Sequence, residues 1–423
     1  MPDDSNDTQR SSFPATGAVH RADRGGLGPA VILKAGHVQP VWSGHPWVYA
    51  QAIERIEGGA TAGDEVSVLD PRGNLIGRGF YSPGSAIPVR IAVRDSKTVL
   101  GAAWIRERLS RAHQLRHEVG LPTAGTNGFR LVNSEGDQLP GLTVDRFDDV
   151  VAVQVNTIGM KLRQDMIFEA IEGVFGIRAI VDRTPATYSK SEGFAPSSGV
   201  VRGDRKTDSF RFRERGFAYE IPLSLGQKTG YYFDQRPLRD RVEQLARGRR
   251  VLDAYCYVGS FALAAARGGA RSVLAVDENV LALEIGARCA SANGLDKTVS
   301  FTRAAARDIL NGIGREGGYD LVILDPPSLA PSARSIDRAL GMFRQLAAAG
   351  CRATRPGGLL VISACSAAVS LDALTRALAL GARDVGTATT VVERMFQGPD
   401  HPVPAAFTEG LYLKTVIARV DLK

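Results

Sequence analysis

The sequence predicts a multidomain α/β protein: a β-rich N-terminal module, a central α+β domain and a C-terminal domain built on a parallel sheet. Three observations carry this. At 423 residues the chain exceeds what one hydrophobic core supports, and roughly two to three domains follow. Alternating strand patterns before Asp95 give way to helical spacing after Val99. From about residue 224, near-continuous apolar runs of strand length alternate with helical stretches, as in a parallel sheet covered on both faces.

Composition narrows the function classes. Hydrophobic residues make up 44% of the chain and charged residues 23%, ordinary for a globular protein. No apolar run approaches the ~18 residues that a membrane helix needs, so no membrane role is expected. The N-terminal stretch MPDDSNDTQRSSFPATGAVH has no apolar signal core, and residues 1–27 read as a disordered polar tail. Cys256, Cys289, Cys351 and Cys365 form no CxxC pair, which argues against disulfides and zinc and fits a reducing cytoplasm. The histidines show no metal-ligand spacing, and no metal is expected. A net charge of +7 favours an acidic partner, nucleic acid first.

Residues 28–98 form the β-rich module. In GDEVSVLDPRGNLIGRGFYS, Val66 and Val68 alternate with polar neighbours, Asp70 to Gly73 turns, and Leu75 to Tyr81 returns; IPVRIAVRD adds another strand, and a barrel is the expected form. Residues 99–205 form the α+β domain. Trp104, Ile105, Leu109, Ala112 and Leu115 share one helical face, with Arg106, Arg108, Arg111, Arg116 and His117 around the rest, as a solvated face or an RNA contact. GLTVDRFDDVVAVQVN reads as two strands joined at Asp148-Asp149, followed by a helical pattern through Leu162, Met166, Ala170, Ile171 and Val174 and a strand at RAIVDR. Residues 206–223 form a linking hairpin that turns at Arg215-Gly216. In residues 224–423, RVLDAY, SVLAVD, VSFTRA, YDLVILD and LLVISA are the parallel strands, with helices over Glu278 to Asn293 and Ile336 to Ala353; TTVVERMF and GLYLKTVIARV close the sheet as an antiparallel pair.

The first strand-turn-helix of that domain, VLDAYCYVGSFALAAA, lies where open α/β sheets bind ligands. Only Gly259 sits in its tight loop, whereas a dinucleotide site wants several glycines for a close pyrophosphate. The bulkier loop suits a ligand without phosphates, and S-adenosylmethionine is one. Asp277, at the end of the next strand, suits the two ribose hydroxyls of such a ligand or a helix cap. Asp308 suits its adenine amino group or, as an acid in a helix's first turn, the helix dipole. Asp325 ends the fourth strand before Pro326 and Pro327, which stiffen a loop able to hold a flat base beside a methyl donor, or simply end the strand in a turn.

Several segments, in order, resemble the ribosomal RNA large subunit methyltransferase I family: HPWVYAQAI, RGFYSP, FRLVNSEGDQLPGLTVDRF, GQKTGYYFDQRPLR, DAYCYVGSF, LDPPS and DHPVPAAFTEGLYLK. The resemblance implies an N-terminal PUA-like RNA-binding β-barrel and a C-terminal Rossmann-like class I methyltransferase domain. It implies 5-methylcytosine formation in 23S ribosomal RNA, naked or in an assembly intermediate, with S-adenosylmethionine as the cofactor. Asp253, Tyr255, Gly259, Asp277, Asp308 and Asp325 fall where cofactor contacts are expected, and Lys228 to Arg236 where the chain packs against the cofactor or forms its entrance. The sequence departs from the family pattern at Ser328, where lysine is common, and at Ala364; both bear on the RNA target. A homodimer is left open.

Carbon 5 of cytosine is a poor nucleophile until a thiolate adds to carbon 6, which divides one hard step into easier ones. Cys365 follows the fifth strand as Asp325 follows the fourth, and the resemblance makes Cys365 the nucleophile. Asp325 is then expected at the N3/N4 edge of the base, which must leave any stack to reach the site. Cys289 and Cys351 fall in or near helices and read as structural, and Cys256 as a small loop residue; packing is the competing role for Cys365. The rivals are an amino-group methyltransferase acting on guanine or adenine, and a non-catalytic RNA-binding assembly factor. The first would put an aromatic ring where Ser328 stands and leave Cys365 idle.

Overall fold

The computed structural model describes residues 28–225, 229–313, 318–329 and 336–422. The tail 1–27 and Lys228 lie outside the described residues. In the N-terminal module, Ala30–Leu33, Trp47–Val48, Ile53–Glu57, Glu65–Leu69, Leu75–Tyr81 and Val89–Val93 make one six-stranded sheet. Val31, Leu33, Val66, Val68 and Val89 form its core. The Asp70 turn forms because one carboxylate oxygen accepts from the backbone N–H of Arg72 and Asn74, both at 2.8 Å.

The central sheet runs in the order Gly199–Gly203, Ala179–Asp182, Val150–Val155, Leu142–Phe147, Gly128–Asn133. Helices Ala102–Glu118 and Gln164–Phe175 contribute to a shared core with it. Phe147, Val150 and Ala152 join a second cluster with the hairpin strands Ser209–Glu214 and Phe217–Pro222. Val150–Val155 is consequently buried at all six positions, which explains why all of them but Gln154 are apolar. The hairpin buries Phe210, Phe212 and Glu214 and exposes the alternating Arg211 and Arg213. Phe210 stacks on Phe147 with centroids 4.1 Å apart, and the cluster continues into Val258, Leu263 and Ile285 of the C-terminal domain. The hairpin is an aromatic wedge between two domains.

Two helical readings need correction. Leu162 and Met166 are exposed, because the pattern spans two helices, Ile158–Lys161 and Gln164–Phe175, and the break between them turns the buried face to Ile167, Phe168 and Ile171. Arg116 is not on a solvated face but wholly buried. Its guanidinium donates to both Asp137 carboxylate oxygens, at 2.6 and 2.8 Å, and to the carbonyls of Arg130 and Asp400, at 2.8 and 2.9 Å. Helix Ala186–Glu192 and strand Gly199–Gly203 were not read from the sequence.

The C-terminal sheet has the order Val299–Arg303, Ser272–Asp277, Arg250–Ala254, Tyr319–Leu324, Thr354–Cys365, Leu413–Leu422, Thr387–Phe396. The first five strands are parallel and the last two antiparallel to their neighbours. The order reverses between Arg250–Ala254 and Tyr319–Leu324, so a crevice opens at the carboxyl ends of those strands.

Removing one partner of a buried ion pair strands the other charge. Arg116→Met is expected to destabilise the fold by about 3–5 kcal/mol in urea unfolding. Arg111→Met, whose side chain is 66% exposed, should change it by less than about 1 kcal/mol. Equal effects would show that the buried network contributes nothing.

Candidate active site

Strand Arg250–Ala254 ends in a loop with left-handed backbone at Tyr255, Tyr257 and Gly259 (φ 68°, 52° and 72°). Such geometry strains non-glycine residues and persists where the surroundings hold it. Here Asp277 holds it: one carboxylate oxygen accepts from the Tyr257 N–H and the other from the Asn279 N–H, both at 2.9 Å. The helix cap considered for Asp277 belongs to Asn279, whose side chain accepts from the Ala282 N–H at 3.1 Å. The Tyr257 hydroxyl donates to the Gly230 carbonyl at 2.9 Å, tying the loop to the segment before helix Arg236–Leu245. Gly259 has no freedom to change: a Cβ there would lie 2.7 Å from the Phe301 ring.

A cavity of about 310 Å³ opens over this loop. Tyr255, Asp277, Asp325 and Cys365 all line it, as do Pro326, Pro327 and Ser328. Three other sequence-predicted residues are not among its lining. Asp253 lies beneath it, fully buried, with one oxygen accepting from the Ala262 N–H at 3.0 Å and the other without a partner among the described residues. Gly259 shapes the turn from behind. Asp308 is exposed on helix Ala306–Gly312, whose Ala306 does line the wall. Burial, then the nearby Asp325 and Asp277 carboxylates, raise the Asp253 pKa to about 8 against the bond from Ala262.

Asp234 and Gln235, inside the stretch expected against the cofactor or at its entrance, also line the cavity; Lys414, which the sequence did not single out, is not among the lining. Gln235 donates through Nε2 to an Asp325 carboxylate oxygen at 2.9 Å. Asp234 lines the cavity and accepts from the Tyr412 hydroxyl at 2.7 Å. Lys414 is buried and donates to the Ser366 carbonyl at 2.9 Å, one residue beyond Cys365. Burial pushes the Lys414 ammonium pKa down, and the Cys365 sulfur's charge pushes it back up. Gln235 and Lys414 lie inside segments that carry the family resemblance, but only the folded chain brings them to Asp325 and Cys365.

The four cysteines separate by environment. Cys256, Cys289 and Cys351 are buried and Cys365 is half-buried. Burial pushes the Cys256 thiol well up, with Asp253 and Asp277 adding to it; burial also raises Cys289, and Cys351 to about 11.

Residues 31–94 match the PUA-like domain family, and residues 196–414 match the S-adenosylmethionine-dependent methyltransferase family. The chain is 34% identical over 393 residues to ribosomal RNA large subunit methyltransferase I of Shewanella denitrificans, covering 92% of this chain and 99% of that relative. The protein of the same name from Yersinia pestis is 32% identical over 392 residues, with the same coverage. The chain belongs to the ribosomal RNA large subunit methyltransferase I family. Its fold matches a SAM-dependent methyltransferase from Streptococcus mutans at a TM-score of 0.80 and 20% identity, over 92% of this chain and 99% of the other. A methyltransferase solved in complex with SAH matches equally well. The N-terminal sheet is therefore a PUA-like domain, and the C-terminal sheet a class I methyltransferase domain that uses S-adenosylmethionine. The residues lining the cavity fit that cofactor: a fixed carboxylate on Asp277 and an aromatic ring on Tyr255.

Two outcomes are expected. Gly259→Ala should cost about 1–3 kcal/mol in thermal unfolding, and Phe301→Leu in that background should recover part of it by opening the space that the methyl needs. Full additivity would show that the ring contact is not the cause. For Asp253, a folded pKa of about 8 against 3.8 means that the folded state binds the extra proton. Its contribution therefore erodes stability as pH rises between about 4 and about 8. Asp253→Asn should gain stability relative to the native protein across that window in pH-dependent denaturation; a constant difference would contradict the raised pKa.

Proposed function

We propose that the protein transfers a methyl group from S-adenosylmethionine to carbon 5 of a cytosine in 23S ribosomal RNA, in the cytoplasm, through a covalent adduct between Cys365 and carbon 6. The carrying observation is that Cys365 and Asp325 line one cavity with the Tyr255 loop, while burial pushes the other three thiols up. A cation beside a cysteine sulfur favours the nucleophilic thiolate, and Lys414 supplies one.

The cofactor supplies a methyl group on a positively charged sulfur. Asp277 would take the ribose hydroxyls, Tyr255 and the turn built on Asp253 and Gly259 would hold the rest, and Asp308 would meet the adenine amino group. Asp325 accepts from the N3/N4 edge of the base, with Pro326 and Pro327 stiffening its loop. The Cys365 thiolate adds to carbon 6, and the electron pair moves to carbon 5, which would then take the methyl carbon as its bond to the cofactor sulfur breaks, the pair returning to that sulfur and S-adenosylhomocysteine leaving. Loss of the carbon-5 proton then expels the Cys365 thiolate and restores the aromatic base. The PUA-like domain grips RNA by phosphate contacts and shape.

The test is nucleoside mass spectrometry on ribosomal RNA from a strain lacking the protein, incubated with labelled S-adenosylmethionine and either native protein or Cys365→Ala. Labelled 5-methylcytosine is expected with native protein and none with the variant. Label in a methylated purine, or label that persists without the thiol, would overturn the mechanism.

A further inference from the structure

Gln235 is only 4% exposed and lines the catalytic cavity. A carboxylate only accepts hydrogen bonds, so the amide nitrogen is the end that faces Asp325, at 2.9 Å. That orientation leaves Oε1 as an acceptor, and Oε1 is buried with no partner among the described residues. A buried acceptor without a donor is costly, and native proteins retain few of them outside functional sites. Gln235 lines the cavity beside Asp325, so an occupant of that cavity is a candidate for the missing donor.

We propose that Gln235 is a specificity-determining residue whose Oε1 accepts one hydrogen of the exocyclic amino group of the target cytosine. This rests on the reading of cytosine as the substrate base. The amino group carries two hydrogens: Asp325 takes one and Gln235 the other, so the two side chains, already bonded to each other, read one group together. Uracil presents a carbonyl oxygen there. It would bring an acceptor against an acceptor and leave Oε1 still unpaired. A site built around a substrate donor rejects an analogue that lacks it far more strongly than an apolar pocket rejects a methylene. The anchoring is rigid, because the next residue, Arg236, is bonded to Glu214, Asp400 and the Gly128 carbonyl.

The experiment measures equilibrium binding of a synthetic RNA carrying the methylated position found by mass spectrometry. Binding is read in the presence of SAH, with Cys365→Ala as the parent so that no adduct forms. Three RNAs differ only at the target base: cytosine, uracil, and 2-pyrimidinone, which lacks the amino group. The parent should prefer cytosine over each of the others by roughly tenfold to hundredfold, as expected for a buried acceptor left unpaired. Adding Gln235→Met should shrink that ratio severalfold. Adding Asp325→Ala should shrink it too, and the double variant should shrink it beyond Asp325→Ala alone, which a residue acting only by holding Asp325 would not do. Equal binding of the three RNAs by the parent, or a ratio that Gln235→Met leaves unchanged in both backgrounds, would overturn the inference. The parent arm needs no Gln235 variant, so a misfolded variant cannot mask the answer. If mass spectrometry finds no 5-methylcytosine, the cytosine reading itself fails; if it finds the product and the ratios do not move, only the role of Gln235 fails.

Discussion

The cavity depends on one buried guanidinium. Arg236 donates to Glu214 of the hairpin at 3.2 Å, to Asp400 of the C-terminal segment at 3.1 Å, and to the Gly128 carbonyl of the central sheet at 2.9 Å. Arg239, one turn later, donates to both Glu214 oxygens. Burial opposes charge on Arg236, but Asp400 and Glu214 outweigh it and raise its pKa. Burial likewise pushes Asp400 up, but Arg236 and His401 hold it far below the usual carboxylate range. Each charge here is tolerable only because its partners arrive from other parts of the chain. The network therefore joins the hairpin, the central sheet and the C-terminal segment at one point.

That junction sets the chemistry. Gln235 precedes Arg236, so fixing the guanidinium fixes the amide that holds Asp325. Asp400 begins the segment that leads through Tyr412 to Lys414, beside Cys365. The same segment reaches the PUA-like domain: Tyr49 donates to Glu409 at 3.0 Å, the His45 ring lies 3.3 Å from that carboxylate, and Trp47 packs on Phe407 with ring centroids 4.5 Å apart. The PUA-like domain and the cavity of the methyltransferase domain thus share one strap, 400–414. Displacing the PUA-like domain would disturb the chain that carries Lys414.

Strands and helices were legible where burial imposes a period. Val150–Val155 and Tyr319–Leu324 are sheet strands with covered faces, and their apolar runs announce it. The strand-end acids were legible because a parallel sheet puts the ends of its strands on one edge. Arg116 was misread because helical spacing registers charge and is blind to a partner such as Asp137, which lies 21 residues on. Asp253, Gly259 and Asp308 fall in cofactor motifs, and a motif marks a neighbourhood: Asp253 accepts from the Ala262 N–H of the helix after the loop, and Gly259 leaves room for Phe301. Gln235 and Lys414 were inaccessible to local reasoning, since their partners are 90 and 48 residues away. The resemblance fared better because its segments, HPWVY and FTEG among them, are partners in space.

The cavity departs from what stability alone would select. An acid beneath its floor has a raised pKa, an amide oxygen in its wall lacks a partner among the described residues, and two tyrosines in its loop hold left-handed backbone. Each departure has a support in the surrounding frame: Ala262 for Asp253, Asp325 for Gln235, and the Asp277 carboxylate for the turn at Tyr257. Residues held this way need little rearrangement when substrate arrives, so binding free energy is not spent on ordering them. The cost is carried instead by the charges around Arg236, which join the hairpin, the central sheet and the C-terminal segment.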